Sequence, residues 1–226
     1  MLKLNLGCGP NVFPGWINID RADMSGYLLF LASQNTDMGK MPPEQRTLAE
    51  RLRKDGIQAF PRQVADIRKG LMYSSGSVDL IYLGQVIEHL NPVYEAPQLL
   101  RECWRVLVPK GILRISTPDL ELLLNSYHAG GMDQFAGEQP EPYAKTKNQA
   151  RKLAYIMYGS MGPASTSEHY EGHQMIYTFD SLAEMLREAG FEEIVRSDAG
   201  ASWSEVIKQE CVDTGVSHSV FVEAVK

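Results

Sequence analysis

A chain of 226 residues, 44% hydrophobic and 22% charged, can bury a sizeable core and has no tract of the disordered kind. Its formal net charge of −6 argues against a broad surface for nucleic acid or anionic membrane, and its longest apolar run, YLLFLA, falls far short of a span. Cys8, Cys103 and Cys211 are too scattered for a CxxC metal knuckle, and their odd number with no signal peptide predicts reduced thiols in a cytoplasmic protein.

Leu2, Leu4 and Leu6 alternate with Lys3 and Asn5 and run into Gly7, which predicts a first strand. WINID predicts a second strand ending at Asp20. Residues 24–60 read as an insertion. Within it GYLLFLASQ suits one or two buried helical turns, and PPEQRTLAERLRKDG suits a helix with Leu48 and Leu52 on one face and Gly56 as its stop. RQVADI predicts a short third strand ending near Asp66. SVDLIYLGQ predicts a fourth, near-continuously apolar as befits a strand covered on both faces.

Residues 92–107 predict a helix with Leu99, Leu100, Cys103, Trp104 and Leu107 on one face, stopped sharply at VPKG. GILRISTPD predicts a fifth strand broken at Pro118. Residues 120–176 then hold helices at LELLLNSY and around 145–158, with polar, Gly/Pro-rich connections that read as a lid or substrate region. FDSLAEMLREAGF predicts a helix capped by Asp180 or Ser181 and ended by Gly190; FEEIVRS and HSVFVEAV predict two closing strands. Strands alternating with helices predict one α/β domain over residues 1–226, a doubly wound and mostly parallel sheet. In such a sheet Gly7–Gly9, Asp20, Asp66 and Leu83–Gln85 gather at the C-terminal strand ends, beside the switch point where ligands bind.

The glycine loop LNLGCGP narrows the ligand. Val12 stands where a dinucleotide fingerprint has its third glycine, Pro10 and Pro14 discourage a full helix, and no Gly-Lys-Ser/Thr follows. A nucleoside cofactor without phosphates fits better. Gly7 and Gly9 let the backbone approach an amino-acid moiety, Asp20 is placed for both ribose hydroxyls, and Asp66 for the exocyclic amine of adenine.

LNLGCGP…INID, ADI, VDLIYLGQVIEHL, LRECWRVLVPKGILRISTPD and HQMIYTFDSLAEMLREAGFEEI, taken in order, resemble the class I S-adenosylmethionine-dependent methyltransferases, and most closely the small bacterial type 11 group. The resemblance covers the chain apart from residues 24–60 and about 120–170. It implies a seven-stranded sheet in the order 3-2-1-4-5-7-6 with strand seven antiparallel, S-adenosyl-L-methionine as cofactor, and a cofactor site drawn from Asn5, Gly7, Cys8, Gly9, Asp20, Asp66, Ile67, Leu83 and Gln85. Three departures stand out: the helix after the glycine loop is cut to a turn, the spacer from Asp20 to Asp66 is long, and Gln85 stands where His is common.

Methyl transfer from a sulfonium needs in-line positioning and, for some acceptors, removal of a proton. His89 follows strand four, close to the methyl position, although Glu88 and His89 also suit a merely loop-holding role. The stretch EHYEGHQMIY adds His169, Tyr170, His173 and Tyr177, with His173 and Tyr177 expected near the acceptor. No metal is expected. Relatives that bind a divalent cation after strand four carry an E-x-x-E-H block, whose first acid is here Gln85, and His169 with His173 lack a clear third ligand. Cys8 reads as a small residue in the cradle rather than a nucleophile, and Trp104 and Trp203 as core or lid packing.

Together these features predict methyl transfer to a small-molecule or sugar-like acceptor, most readily at oxygen, with His89, His173 and Tyr177 as catalytic candidates. No nucleic-acid or membrane partner is expected, and a homodimer is compatible with the sequence. A non-catalytic cofactor-binding or scaffolding module with the same sheet is the alternative. A nucleotide-sugar oxidoreductase or epimerase would need a pyrophosphate site that the sequence lacks.

Overall fold

Alternation along the fourth strand sets the layers of the molecule. Ile81 and Leu83 join one buried cluster, and Leu80 and Tyr82 join another, so successive side chains enter apolar layers on opposite faces. The structure is a computed structural model and describes residues 1–9, 11–23, 28, 31–33, 39, 43–56, 59–138, 145–158, 172–210, 213 and 217–226. Its strands are β1 (Lys3–Leu6), β2 (Ile17–Asp20), β3 (Arg62–Val64), β4 (Val78–Gly84), β5 (Leu107–Pro118), β6 (Glu193–Ser197) and β7 (Ser219–Val225). They form one seven-stranded sheet in the order β3-β2-β1-β4-β5-β7-β6. All neighbours are parallel except β7, which runs antiparallel to both β5 and β6. Order and polarity are those expected from the sequence.

The larger core lies on the face covered by α2 (Glu95–Val106) and α5 (Phe179–Ala189), which contribute Leu99, Leu100, Cys103, Leu182 and Leu186. On the opposite face Phe13, Trp16, Leu80 and Tyr82 meet Ile207 of α6 (Glu205–Glu210), a short helix that the sequence reading missed. The insertion helix α1 (Pro43–Asp55) buries Leu52 and half-buries Leu48, as their spacing predicts, and Gly56 stops it at φ +75°. With Leu28, Leu31 and Phe60 it builds a satellite core against Cys8 and Val12, so the insertion braces the glycine loop from behind. α3 (Leu120–His128), a 3₁₀ segment (Met132–Glu138) and α4 (Gln149–Tyr158) pack a further small core of Leu123, Met132, Phe135 and Ile156, to which Ile176 returns.

Several local expectations are corrected. Thr178, not Asp180 or Ser181, caps α5: its hydroxyl accepts from the Ser181 amide, and the Ser181 side chain answers at the Thr178 backbone. The helix over Glu95–Val106 does stop just before VPKG, but VPKG itself belongs to β5, where Lys110 takes φ +66° near a register shift against β4. Trp104 and Trp203 are not core residues, being 37% and 46% exposed. The Trp104 ring lies beside Gly190, with the Lys226 ammonium 4.2 Å from its centroid.

One buried cation ties the end of the sheet together. Arg114 of β5 is fully buried and grips Asp213 with two nitrogens, at 2.9 and 2.6 Å, while donating to the carbonyls of Ala201 and Asp198. Glu223 of β7 stands 3.3 Å from the same guanidinium. Such a charge is tolerable in the interior because nearly every donor has an acceptor.

Candidate active site

The strand ends of β1, β2 and β4 bring the glycine loop together with the turn after β4. Gly7 and Gly9 both take positive φ, +65° and +48°, where a side chain would be strained. A β-carbon on Gly7 would also strike Val86, whereas one on Gly9 would point into open space. The loop is pinned to β2 by two bonds: the Cys8 amide donates to the Ile19 carbonyl at 3.0 Å, and the Gly9 amide donates to Asp20 Oδ2 at 2.8 Å. Asp20 Oδ1 accepts from the Ala22 amide. The carboxylate that ends the second strand therefore sits directly against the glycine backbone, and among the described residues only turns join β1 to β2.

Two buried asparagines shape that turn. Asn5 and Asn18 are register partners on β1 and β2. Asn5 Nδ2 donates to the Asn11 carbonyl and to Asn18 Oδ1, at 2.7 and 3.0 Å. Asn18 in turn accepts from the Phe13 amide and donates toward the Phe13, Trp16 and Pro61 carbonyls. Asn5 thus sits beneath the cradle with its amide engaged, and Asn18 is a shaping residue that sequence reasoning missed. Its signal was a polar side chain at a buried strand position.

The other expected cofactor residues divide by what they present. Cys8 is buried against the insertion core, and burial, with Asp20 beside it, pushes its thiol up to about 12, which leaves it protonated and inert. Leu83 has its side chain in the main core, so it offers backbone to a ligand. Gln85 takes φ +57° and donates its amide to Ser219 Oγ at 3.0 Å. Asp66 caps the 3₁₀ turn Ile67–Lys69 and holds the Arg68 guanidinium at 2.9 Å; those bonds keep its carboxyl below the usual range. Ile67 is buried behind it.

The catalytic candidates converge. His89 ends the 3₁₀ turn Ile87–His89, and its ring meets that of His173 edge to face with centroids 4.8 Å apart. The segment carrying His173 is laid on this turn. Gln174 and Met175 donate backbone amides to the Glu88 carbonyl, and the Gln174 side chain donates to the His89 carbonyl. Tyr177 bridges to Asp119 and is fully buried.

Glu88 lies at the centre, fully buried, with Oε2 accepting from Thr117 Oγ1 at 3.0 Å. Its Oε1, His173 Nδ1 and the Tyr177 hydroxyl are buried without a hydrogen-bond partner among the described residues. Burial pushes the Glu88 carboxyl up to about 8 and, with His89 adjacent, holds His173 down at about 4. Tyr177 is pushed up to about 12 by burial and by the Glu88 charge. Glu88 was read from the sequence only as a loop-holding partner, and the structure places it inside the cluster. His169 and Tyr170 lie outside the described residues.

Comparison with known proteins agrees with this architecture. The family described as "Methyltransferase domain" matches residues 4–115, which span β1 to β5 and include the glycine loop, Asp20 and the Glu88–His89 turn. The chain belongs to the class I S-adenosylmethionine-dependent methyltransferases. A curated relative from Mycolicibacterium smegmatis named "Probable S-adenosylmethionine-dependent methyltransferase" is 42% identical over 64 residues, a match that takes in 26% of this chain and 23% of the relative.

Among solved structures, the methyltransferase SibL superposes on 99% of this chain and 50% of its own, with a TM-score of 0.51 and 15% identity. A methyltransferase from Archaeoglobus fulgidus covers 99% of this chain and 85% of its own, at 14% identity and a TM-score of 0.49. S-adenosyl-L-methionine is the cofactor that defines the family, and the residues present suit it. The open space before Gly9 admits a backbone-hugging amino-acid moiety, and among the described residues the glycine loop runs on into turns rather than opening a helix whose N-terminus would receive a pyrophosphate. Among the described residues no helix is long and apolar enough to cross a membrane.

Proposed function

We propose that this chain methylates a hydroxyl of a small-molecule or sugar-like acceptor with S-adenosyl-L-methionine as donor. The observation that carries the reading is the proximity of two half-sites. The glycine loop, clasped to Asp20, touches Val86, and three residues later the chain presents His89 with Glu88 and His173 around it.

In this reading Gly7 and Gly9 hold the amino-acid end of the cofactor through backbone, with Cys8 and the Leu83–Gln85 backbone lining it. Asp20 receives the ribose hydroxyls. Asp66 and Ile67 border the adenine, and Asn5 holds the loop in shape from below. Bound cofactor supplies an electrophilic methyl group on a sulfonium. The Glu88–His89–His173 cluster, with Tyr177 behind it, faces the acceptor hydroxyl and promotes loss of its proton. With the cofactor bound, the acceptor oxygen would take that methyl group, and the sulfur would keep the electron pair of the bond it loses. A net charge of −6 and the scarcity of Lys and Arg in residues 120–176 favour a small acceptor over nucleic acid.

Calorimetric titration with S-adenosylhomocysteine tests the cofactor half of the reading. Wild type should bind, and Asp20→Ala should lose at least tenfold in affinity; no binding by wild type, or an unchanged affinity in the variant, refutes it. Incubation with labelled donor and a panel of hydroxylated and aminated small molecules tests the acceptor half. Transfer confined to amines would overturn the assignment to oxygen.

A further inference from the structure

We propose that Glu88, His89 and His173 form a binding site for one divalent first-row transition-metal ion, with coordination positions left open for the acceptor oxygen. The three side chains each offer a ligand atom, and these atoms all lie within 4.8 Å of one another. Metal–ligand bonds of about 2.0–2.2 Å bring such donors to roughly 3–3.5 Å apart, so a modest contraction of the cluster completes the site.

The unpartnered atoms are the independent sign of a ligand. Glu88 Oε1 and His173 Nδ1 are buried with no hydrogen-bond partner among the described residues, although Glu88 is fully buried. Leaving a buried acceptor unpaired is costly, and more so when it is charged. Two such atoms in one cluster are accounted for together by a cation between them. The surroundings fit as well. Thr117 Oγ1 holds the second Glu88 oxygen at 3.0 Å, the kind of outer bond that fixes a metal-ligating carboxylate. The backbone bonds from Gln174 and Met175 to Glu88, and from the Gln174 side chain to His89, hold the third ligand beside the first two.

The donor set states which ion. Two imidazoles and one carboxylate suit Zn²⁺, Mn²⁺, Fe²⁺ or Co²⁺, whereas Mg²⁺ and Ca²⁺ prefer all-oxygen cages. Gln85, the residue whose identity argued against a metal, is turned to Ser219, and the structure supplies His173 in place of a second acid. Resting on the proposed hydroxyl acceptor, the ion would carry the acceptor oxygen and lower its pKa, as zinc brings bound water from 15.7 to about 7. The hydroxyl proton then leaves to solvent before the oxygen takes the methyl group.

The full chain, stripped with chelator and dialysed, is titrated calorimetrically with Zn²⁺ and Mn²⁺, and Co²⁺ uptake is followed by its visible d–d absorption. One ion per chain is expected in the wild type. His173→Ala and Glu88→Gln should each weaken binding at least tenfold, and His128→Ala should not. No saturable uptake, or uptake unchanged in His173→Ala, overturns the site. His173→Ala carries the test alone if Glu88→Gln does not fold. S-adenosylhomocysteine is titrated into the same samples. Its binding without metal uptake overturns the metal site and leaves the methyltransferase reading standing. Metal uptake without its binding supports the site and overturns that reading.

Discussion

A β-carbon on Gly7 would fall 2.6 Å from Cγ2 of Val86, closer than any two such atoms can stand. The glycine loop and the turn that carries Glu88 and His89 are therefore packed against each other with no spare space. Gly7→Ala combines positive-φ strain with a clash and should cost about 2–4 kcal/mol of stability. Gly9→Ala meets nothing within 4 Å and should cost only about 1–2 kcal/mol from its φ of +48°. Its added methyl nevertheless enters the open space that the proposed function gives to the cofactor. Urea denaturation should therefore rank Gly7→Ala as the less stable, while titration with S-adenosylhomocysteine should show Gly9→Ala losing at least tenfold in affinity. Val86→Ala should partly rescue the stability of Gly7→Ala.

Arg114→Met removes a fully buried cation and leaves Asp213 and Glu223, both buried, without it. Breaking a buried pair in this way costs about 3–5 kcal/mol. Chemical denaturation should report a loss of that order, and a loss below about 1 kcal/mol would show the network to be dispensable.

Thr178→Ala tests the corrected helix start. The Thr178 hydroxyl accepts from the Ser181 amide at 3.2 Å, so its loss should cost about 1 kcal/mol. Asp180→Ala leaves that bond intact and should cost under about 1 kcal/mol through the helix dipole alone. Thermal melts of the two variants side by side settle the order.

Glu102 gives a pH dependence with a defined sign. Bidentate bonds from Arg105, with a bond from the Leu71 amide, hold its carboxyl down at about 2, below the 4.5 it has when free. The unfolded chain therefore binds more protons between those values, and this contribution to stability, complete above pH 4.5, is lost as pH falls toward 2. Glu102→Gln should be less stable than wild type at pH 7, with the gap closing as pH falls through that window in acid denaturation series.

Strand order was legible because it follows from local signals: alternation, apolar runs and glycine stops at each element, with the family blocks fixing their sequence. The clasp between the glycine loop and the second strand was legible for the same reason, since Gly7, Gly9 and Asp20 lie within one short stretch. The cluster around Glu88 was not. His89 and His173 meet only because the segment after α4 folds back onto the Ile87–His89 turn, a pairing between distant positions that no local period encodes. Thr178 was passed over because Asp180 and Ser181 are equally good caps by type, and only backbone geometry chooses among them. Trp104 was misplaced because helical spacing puts it beside Leu100 and Cys103, yet it stands at the rim of that face, where solvent and Lys226 share its ring.

The His173 amide donates to the Tyr158 carbonyl at 3.2 Å, which closes the chain on itself at the rim of the site. That bond ties the last residue of α4 to the residue whose ring meets His89, so a shift of this helix is passed to the His89–His173 pair through the backbone. The small core that α4 shares with α3 and the 3₁₀ segment therefore sets where one ring of the pair stands, although none of its side chains belongs to the pair.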